Sequence, residues 1–199
     1  ATDPNHPTFV VFSEKTTNVN LYNDSYDIAG FDPYPIKGQK GKVDMVRKVI
    51  EERKNQALGI FPVWHVVQSH DFRKPKSGVY YPTPNQIRCM VFLGIIAQAR
   101  GTCYYWWPSS ICDILQFPNV WASIQETNYD LRNLEYILTA KDSVPDVIHI
   151  KQKGEDILPM LVRKYEDVHY VFIANPSEKE VMVILQLPNG FLDVQDLLM

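Results

Sequence analysis

Three carboxyl groups stand at or just beyond the ends of apolar, strand-like runs: Glu14 after Phe12-Ser13, Asp32 after Phe31, and Asp71 after Gln68-Ser69-His70. A carboxyl so placed can give a proton to a bound ligand or take one from it. Asp32 is the best placed, because the run that begins at Tyr26 ends there and Pro33 and Pro35 hold the turn stiffly. It could equally cap its loop as an Asx-type turn residue. Glu14, beside Lys15 in a polar loop, reads more simply as a solvated residue. Tyr34, between the two prolines, could hydrogen-bond a ligand hydroxyl or merely pack. The amide of Gln68 both donates and accepts, so it suits either ligand hydroxyls or a structural hydrogen bond. His65, His70 and Asp71 lie within seven positions and could be imagined as metal ligands. Strand alternation points the two histidines apart and no other His or Cys pair supports them, so neither metal nor cofactor is expected. Trp106 and Trp107 end the last apolar run and present one ring to each side, one as a stacking floor for a ligand and one as core, or both as core.

The elements that must position these groups alternate. Thr8 to Phe12 and Tyr26 to Phe31 read as strands, the second stopped by the prolines. Val43 to Leu58 carries Val43, Val46, Val49 and Ile50 among Lys, Arg and Glu and stops at Gly59, which predicts an amphipathic helix. Phe61 to Val67 is a nearly continuous apolar run, as in a parallel strand covered on both faces. Thr83, Pro84 and Gln86 form the sequence signature of a capping box and predict a helix to about Arg100, ended by Gly101. Thr102 to Trp107 is β-prone, and Pro118-Asn119 introduce a third helix with Val120, Ile124, Leu131, Leu134 and Ile137 on its inner side. This alternation predicts an α/β fold built from right-handed βαβ crossovers and a parallel sheet. From Val147 the helical period gives way to short alternating runs, His149 to Lys151, Met160 to Lys164, His169 to Ala174 and Val181 to Leu187, which predict an antiparallel tail. The predicted organisation is residues 1–142 followed by residues 143–199.

Composition narrows the classes. The chain has 199 residues, 45% hydrophobic and 22% charged, which excludes collagen-like and disordered readings. Apolar stretches such as Met90 to Ala97 fall well short of the roughly 20 residues that cross a bilayer, and no basic, then apolar leader opens the chain, so no membrane partner is expected. A formal charge of −3 with scattered Lys and Arg lacks the electrostatic footprint of a nucleic-acid binder. Three cysteines, Cys89, Cys103 and Cys112, allow at most one disulfide. The excess is aromatic, 12%, concentrated in Tyr80-Tyr81, Tyr104-Tyr105-Trp106-Trp107 and Trp121, and aromatic rings at strand ends often face sugars.

Taken together, Asp3-Pro4-Asn5-His6-Pro7-Thr8, Asp27 to Pro35 (DIAGFDPYP), Pro62 to Gln68 (PVWHVVQ), Pro82-Thr83-Pro84 and Gly101 to Trp107 (GTCYYWW) resemble the C-terminal half of a (β/α)8-barrel (TIM-barrel) glycoside hydrolase, and the tail looks like part of the β-sandwich that often follows such barrels. The resemblance implies that about four of the eight strands are present, so the remaining half is expected from a separate polypeptide or a second copy, unless the chain is the product of a truncated gene. It places the site at the C-terminal strand ends, and glycoside hydrolysis there calls for two carboxyls flanking the scissile bond. Asp32 and Glu14 are the implied catalytic residues; Tyr34, Gln68, Asp71, Trp106 and Trp107 are the implied substrate contacts. Gln68 stands where several retaining glycosidases place a nucleophilic glutamate, a role that glutamine cannot play. The implied partner is a glycan or oligosaccharide, met outside the cytoplasm in secreted or periplasmic surroundings. Two rivals remain: a non-catalytic carbohydrate-binding or assembly protein on a degenerate barrel, motivated by Gln68, and a metal-dependent barrel hydrolase resting on His65, His70 and Asp71.

Overall fold

The strand-like runs and the amphipathic segments between them fold, in a computed structural model, into a parallel sheet layered with helices. The structure describes residues 5–16, 18–37, 41–57, 59–70, 81–105, 114–140, 149–152, 158–186 and 195–197. Packing divides the chain into two compact units, Ala1–Ile124 and Gln125–Met199. The boundary expected near residue 142 falls in 141–148, outside the described residues.

In the first unit, β1 (Phe9–Ser13), β2 (Ile28–Asp32), β3 (Val63–Gln68) and β4 (Gly101–Tyr105) form one four-stranded sheet in the order β1-β2-β3-β4. Every neighbouring pair is parallel. The mixed α/β class with a parallel sheet is therefore present. A closed barrel is not: among the described residues the sheet is open at β1 and β4. The first crossover runs through a 3-10 segment, Val19–Ser25, the second through helix α1 (Met45–Gln56) and the third through helix α2 (Pro84–Ile96).

Pairing register puts the sheet's residues on two faces. Phe12, Ala29, Phe31, Val63, His65 and Val67 share one face and are all buried. Phe9, Val11, Ser13, Asp32, Trp64, Gln68 and Tyr105 share the other. Helix α1 packs against α2, β2 and β3, and α2 packs against β3. The approach of α2 is close enough that a Cβ added at Gly94 would lie 2.5 Å from His65 Nδ1. Glycine lets this helix, with Ile87, Met90, Val91 and Leu93 fully buried, settle directly on the strand.

The predicted start of α2 is present atom for atom. Thr83 Oγ1 accepts from Gln86 N at 3.2 Å, Gln86 Oε1 accepts from Thr83 N at 2.9 Å, and Pro84 occupies the first helical position. Its end differs from the sequence expectation, since α2 stops at Ile96 and Gly101 opens β4. Gln98 takes the left-handed backbone with φ of 67°, while Gln98 N donates to Ile95 O at 2.8 Å and Ala99 N to Gly94 O at 2.9 Å. That is the bonding of a Schellman end built on glutamine, which a search for glycine passes over. Helix α1 is shorter than predicted, Met45–Gln56, but Gly59 still closes its end, at φ of 65° and donating to Lys54 O at 3.1 Å.

Helix α3 (Pro118–Asn133) contains the division between the units, and α4 (Glu135–Leu138) follows it. In the second unit β5 (His149–Gln152) pairs antiparallel with β8 (Val183–Gln186), and β6 (Met160–Tyr165) pairs antiparallel with β7 (Val168–Ile173). These are two separate two-stranded sheets; no β-sandwich is formed among the described residues. Glu166, φ 53°, turns the β6-β7 hairpin, and α4 packs on β6 with the rings of Tyr136 and Tyr165 4.9 Å apart. Among the described residues no helix is long and apolar enough to cross a membrane.

Candidate functional site

Parallel register carries the ends of β1 and β2 to the same level, with Ser13 opposite Asp32, so Glu14 and Asp32 emerge side by side. Each is held by the chain around it. Lys37, on the loop after β2, ion-pairs with Glu14. Arg53, buried on the inner side of α1, donates from Nη2 to Glu14 O at 3.1 Å and from Nη1 to Gln56 Oε1 at 3.0 Å. Burial pushes the Asp32 carboxyl above the usual carboxylate range, and the charge of Glu14 adds to the rise. A hydrogen bond donated by the Tyr34 hydroxyl and backbone N–H donation from Glu14 and Asp32 itself oppose it. Tyr34 is in turn pushed up, first by its burial and then by the neighbouring Asp32 carboxylate. Among the described residues Asp32 Oδ1 and Glu14 Oε2 are buried without a hydrogen-bond partner. Unmatched carboxylate oxygens of this kind are uncommon in folded proteins and ask for a reason.

Beside the carboxyls, Tyr34, His70 and Tyr105 form an aromatic cluster. Tyr34 and Tyr105 stack with centroids 5.8 Å apart and planes 14° apart. His70 meets both rings edge-on, at 4.8 Å and 5.4 Å. Its Nδ1 lies 3.0 Å from Tyr105 O, which also accepts from Ser69 N at 2.7 Å. A carbonyl only accepts, so Nδ1 carries the proton in this contact. Tyr105 itself is 43% exposed at the end of β4, two strands from Asp32 and stacked on the Tyr34 that reaches it.

Gln68 is completely buried on the same sheet face. Its Oε1 accepts from Ile36 N at 2.9 Å, and its Nε2 donates to Ile36 O at 2.8 Å and to His70 O at 3.1 Å. Both donor hydrogens are thereby spent on backbone, which gives Gln68 the structural side of its two sequence readings rather than the ligand contact. His65 lies on the other face against α2 and is fully buried, its imidazole pushed down to about 3 by that burial. The structure thus separates His65 from His70, and among the described residues no three His, Cys, Asp or Glu side chains gather as a metal-binding group. Asp71, Trp106 and Trp107 lie outside the described residues.

Of the sequence candidates, then, Glu14, Asp32 and Tyr34 come together, with Gln68 beneath their loop. Lys37 and Arg53 were not singled out by sequence, and Tyr105 was named only within the aromatic run at the strand end. Arg53 did leave a signal: it follows Val46 and Ile50 at helical spacing, so it is a cation on the buried stripe of α1. Lys37 left none, because it owes its place to pairing between distant segments. No known protein family, curated protein or solved structure matches this chain.

Proposed function

We propose that this chain is the C-terminal half of a (β/α)8-barrel glycoside hydrolase, with Asp32 and Glu14 as its carboxyl pair and a glycan as its substrate. The observation that carries the reading is the convergence of these two side chains at neighbouring C-terminal strand ends, each with a buried oxygen that no described protein group satisfies. Ligands of α/β sheets are bound at such ends. Asp32, whose carboxyl keeps its proton to higher pH than usual, is suited to protonate the departing glycosidic oxygen. Glu14, ion-paired to Lys37, supplies the second carboxylate that glycoside hydrolysis needs. The exposed ring of Tyr105 is of the kind that stacks against the apolar face of a sugar.

Unbroken strand order and an incompletely covered sheet face support the half-barrel. Four further βα units, from additional chain or from a second copy, would pair with β1 and β4 and cover Phe9, Val11 and Trp64. The antiparallel second unit belongs, in this reading, to an accompanying β-sandwich, and the resemblance places the protein outside the cytoplasm. Gln68 no longer argues for a degenerate, binding-only barrel, because its amide is committed to the β2-α1 loop.

The test is turnover of a panel of p-nitrophenyl glycosides by the complete protein and by its Asp32→Asn variant. Hydrolysis that falls by about 10²- to 10⁴-fold in the variant supports Asp32 as the acid. Full turnover by D32N removes it, and binding of the panel without any turnover favours the carbohydrate-binding rival.

A further inference from the structure

The loop after β2 carries both side chains that touch the carboxyl pair, Tyr34 on Asp32 and Lys37 on Glu14. Between them sits Ile36, buried, and its peptide N–H and C=O are both bonded by one side chain from another strand. The Gln68 carboxamide pairs with Ile36 as a neighbouring peptide group would, and its second N–H ties in His70 O, the residue whose ring abuts Tyr34. From this geometry we infer that Gln68 is a positioning residue: it locks residues 33–37, just after β2, so that Tyr34 and Lys37 are registered on Asp32 and Glu14. The inference rests on the reading of Asp32 and Glu14 as the reacting pair, and extends it to a residue that touches neither.

The chemistry at this position selects amide over acid. A carboxylate offers no donor, so the substitution Gln68→Glu would set a negative oxygen against Ile36 O and His70 O, now 2.8 Å and 3.1 Å from Nε2. Even protonated, it could donate to only one of the two. Leucine of similar size would leave three backbone groups unsatisfied. Asparagine keeps the amide but is one methylene too short to span the gap.

The experiment follows the Asp32 carboxyl by 13C NMR titration in the full chain, wild type against Gln68→Asn and Gln68→Leu, with the melting temperature recorded alongside. The groups facing this carboxyl are Glu14 and Tyr34, with Lys37 held beyond Glu14. Freeing the loop admits water to Asp32 and withdraws the Tyr34 donor. Burial is the largest cause of the raised value, so the expected result is a fall toward the ordinary carboxylate range, accompanied by shifts of the Tyr34, His70 and Tyr105 ring signals. A folded variant with native α2 and β4 signals and an unmoved Asp32 titration would overturn the proposal, since a merely structural role shifts the melting temperature alone. Should both variants unfold, through-hydrogen-bond couplings from the Gln68 side-chain amide to the carbonyl carbons of Ile36 and His70 decide in the wild type; their absence sinks the proposal and their presence supports it. If D32N keeps full glycosidase turnover while the Asp32 titration moves as expected, it is the catalytic reading that fails and the positioning role that stands.

Discussion

The two faces of the parallel sheet divide labour. On the helix-covered face Phe12, Phe31, Val63, His65 and Val67 are buried, and even a histidine is carried there as a neutral core side chain. The opposite face begins apolar, with Phe9 40% and Val11 44% exposed, and ends polar, with Ser13, Asp32 and Gln68. One face spends its side chains on packing and has nothing left with which to meet a ligand. The other keeps an Asp32 oxygen that no described group satisfies, a cost of roughly 1–3 kcal/mol for a buried unsatisfied group; the covered face carries its own, the two ring nitrogens of His65, but closes over them with packing.

Truncation should expose this difference most strongly. Phe31→Ala on the covered face is expected to cost about 3–5 kcal/mol in denaturant unfolding, because it removes a fully buried ring from between the sheet and its helices. Val11→Ala on the open face should cost less than about 1 kcal/mol in the chain by itself. Equal penalties would break the comparison. A Val11 penalty that rises to core size only when the chain is combined with further βα units would sharpen it, by showing that such units cover this face.

The pH response should have opposite signs on the two faces. His65 has an ordinary value of 6.5 and a folded value near 3. Above about 6.5 neither folded nor unfolded chain holds its proton, so its stabilising contribution is complete. As pH falls from 6.5 toward 3 only the unfolded chain takes up the proton, and stability falls by up to about 1.4 kcal/mol per pH unit. Asp32 behaves the other way: its folded value is raised, so its contribution is present below the unfolded carboxylate range and is lost as pH rises through the folded value. His65→Leu should therefore flatten the acid limb of urea midpoints measured between pH 7 and pH 4, whereas Asp32→Asn should leave the midpoint unchanged or raised at pH 7. An acid limb that H65L leaves unaltered would mean that His65 is hydrated in the folded chain.

Much of the covered face was legible in sequence because it is built from local rules. The capping box at Thr83, the apolar stripe of α1 and the apolar run of β3 each act over a few residues. The open face was legible only where a strand end coincides with a carboxyl, as at Asp32. Gln68 reads equally as a ligand contact or a structural hydrogen bond until its distant partner, Ile36, is brought to it by the pairing of β2 with β3. Lys37 and Tyr105 depend on the same long-range pairing. The end of α2 was missed for a different reason: a left-handed glutamine satisfied the bonding usually assigned to glycine.

The smallest expected effect tests whether the local rules act independently of either face. Thr83→Ala removes the Oγ1 acceptor of Gln86 N but leaves Gln86 Oε1 bonded to Thr83 N, so only one of the two capping bonds is lost. Its expected cost is about 1 kcal/mol, with Thr83→Ser close to wild type, read from urea midpoints at constant slope. Helix α2 lies on the covered face, where packing of Ile87, Met90 and Leu93 already fixes its position. A cost well above about 2 kcal/mol would show that the cap, and not the packed stripe, decides whether α2 forms, and the covered face would then owe its order to its ends rather than to its core.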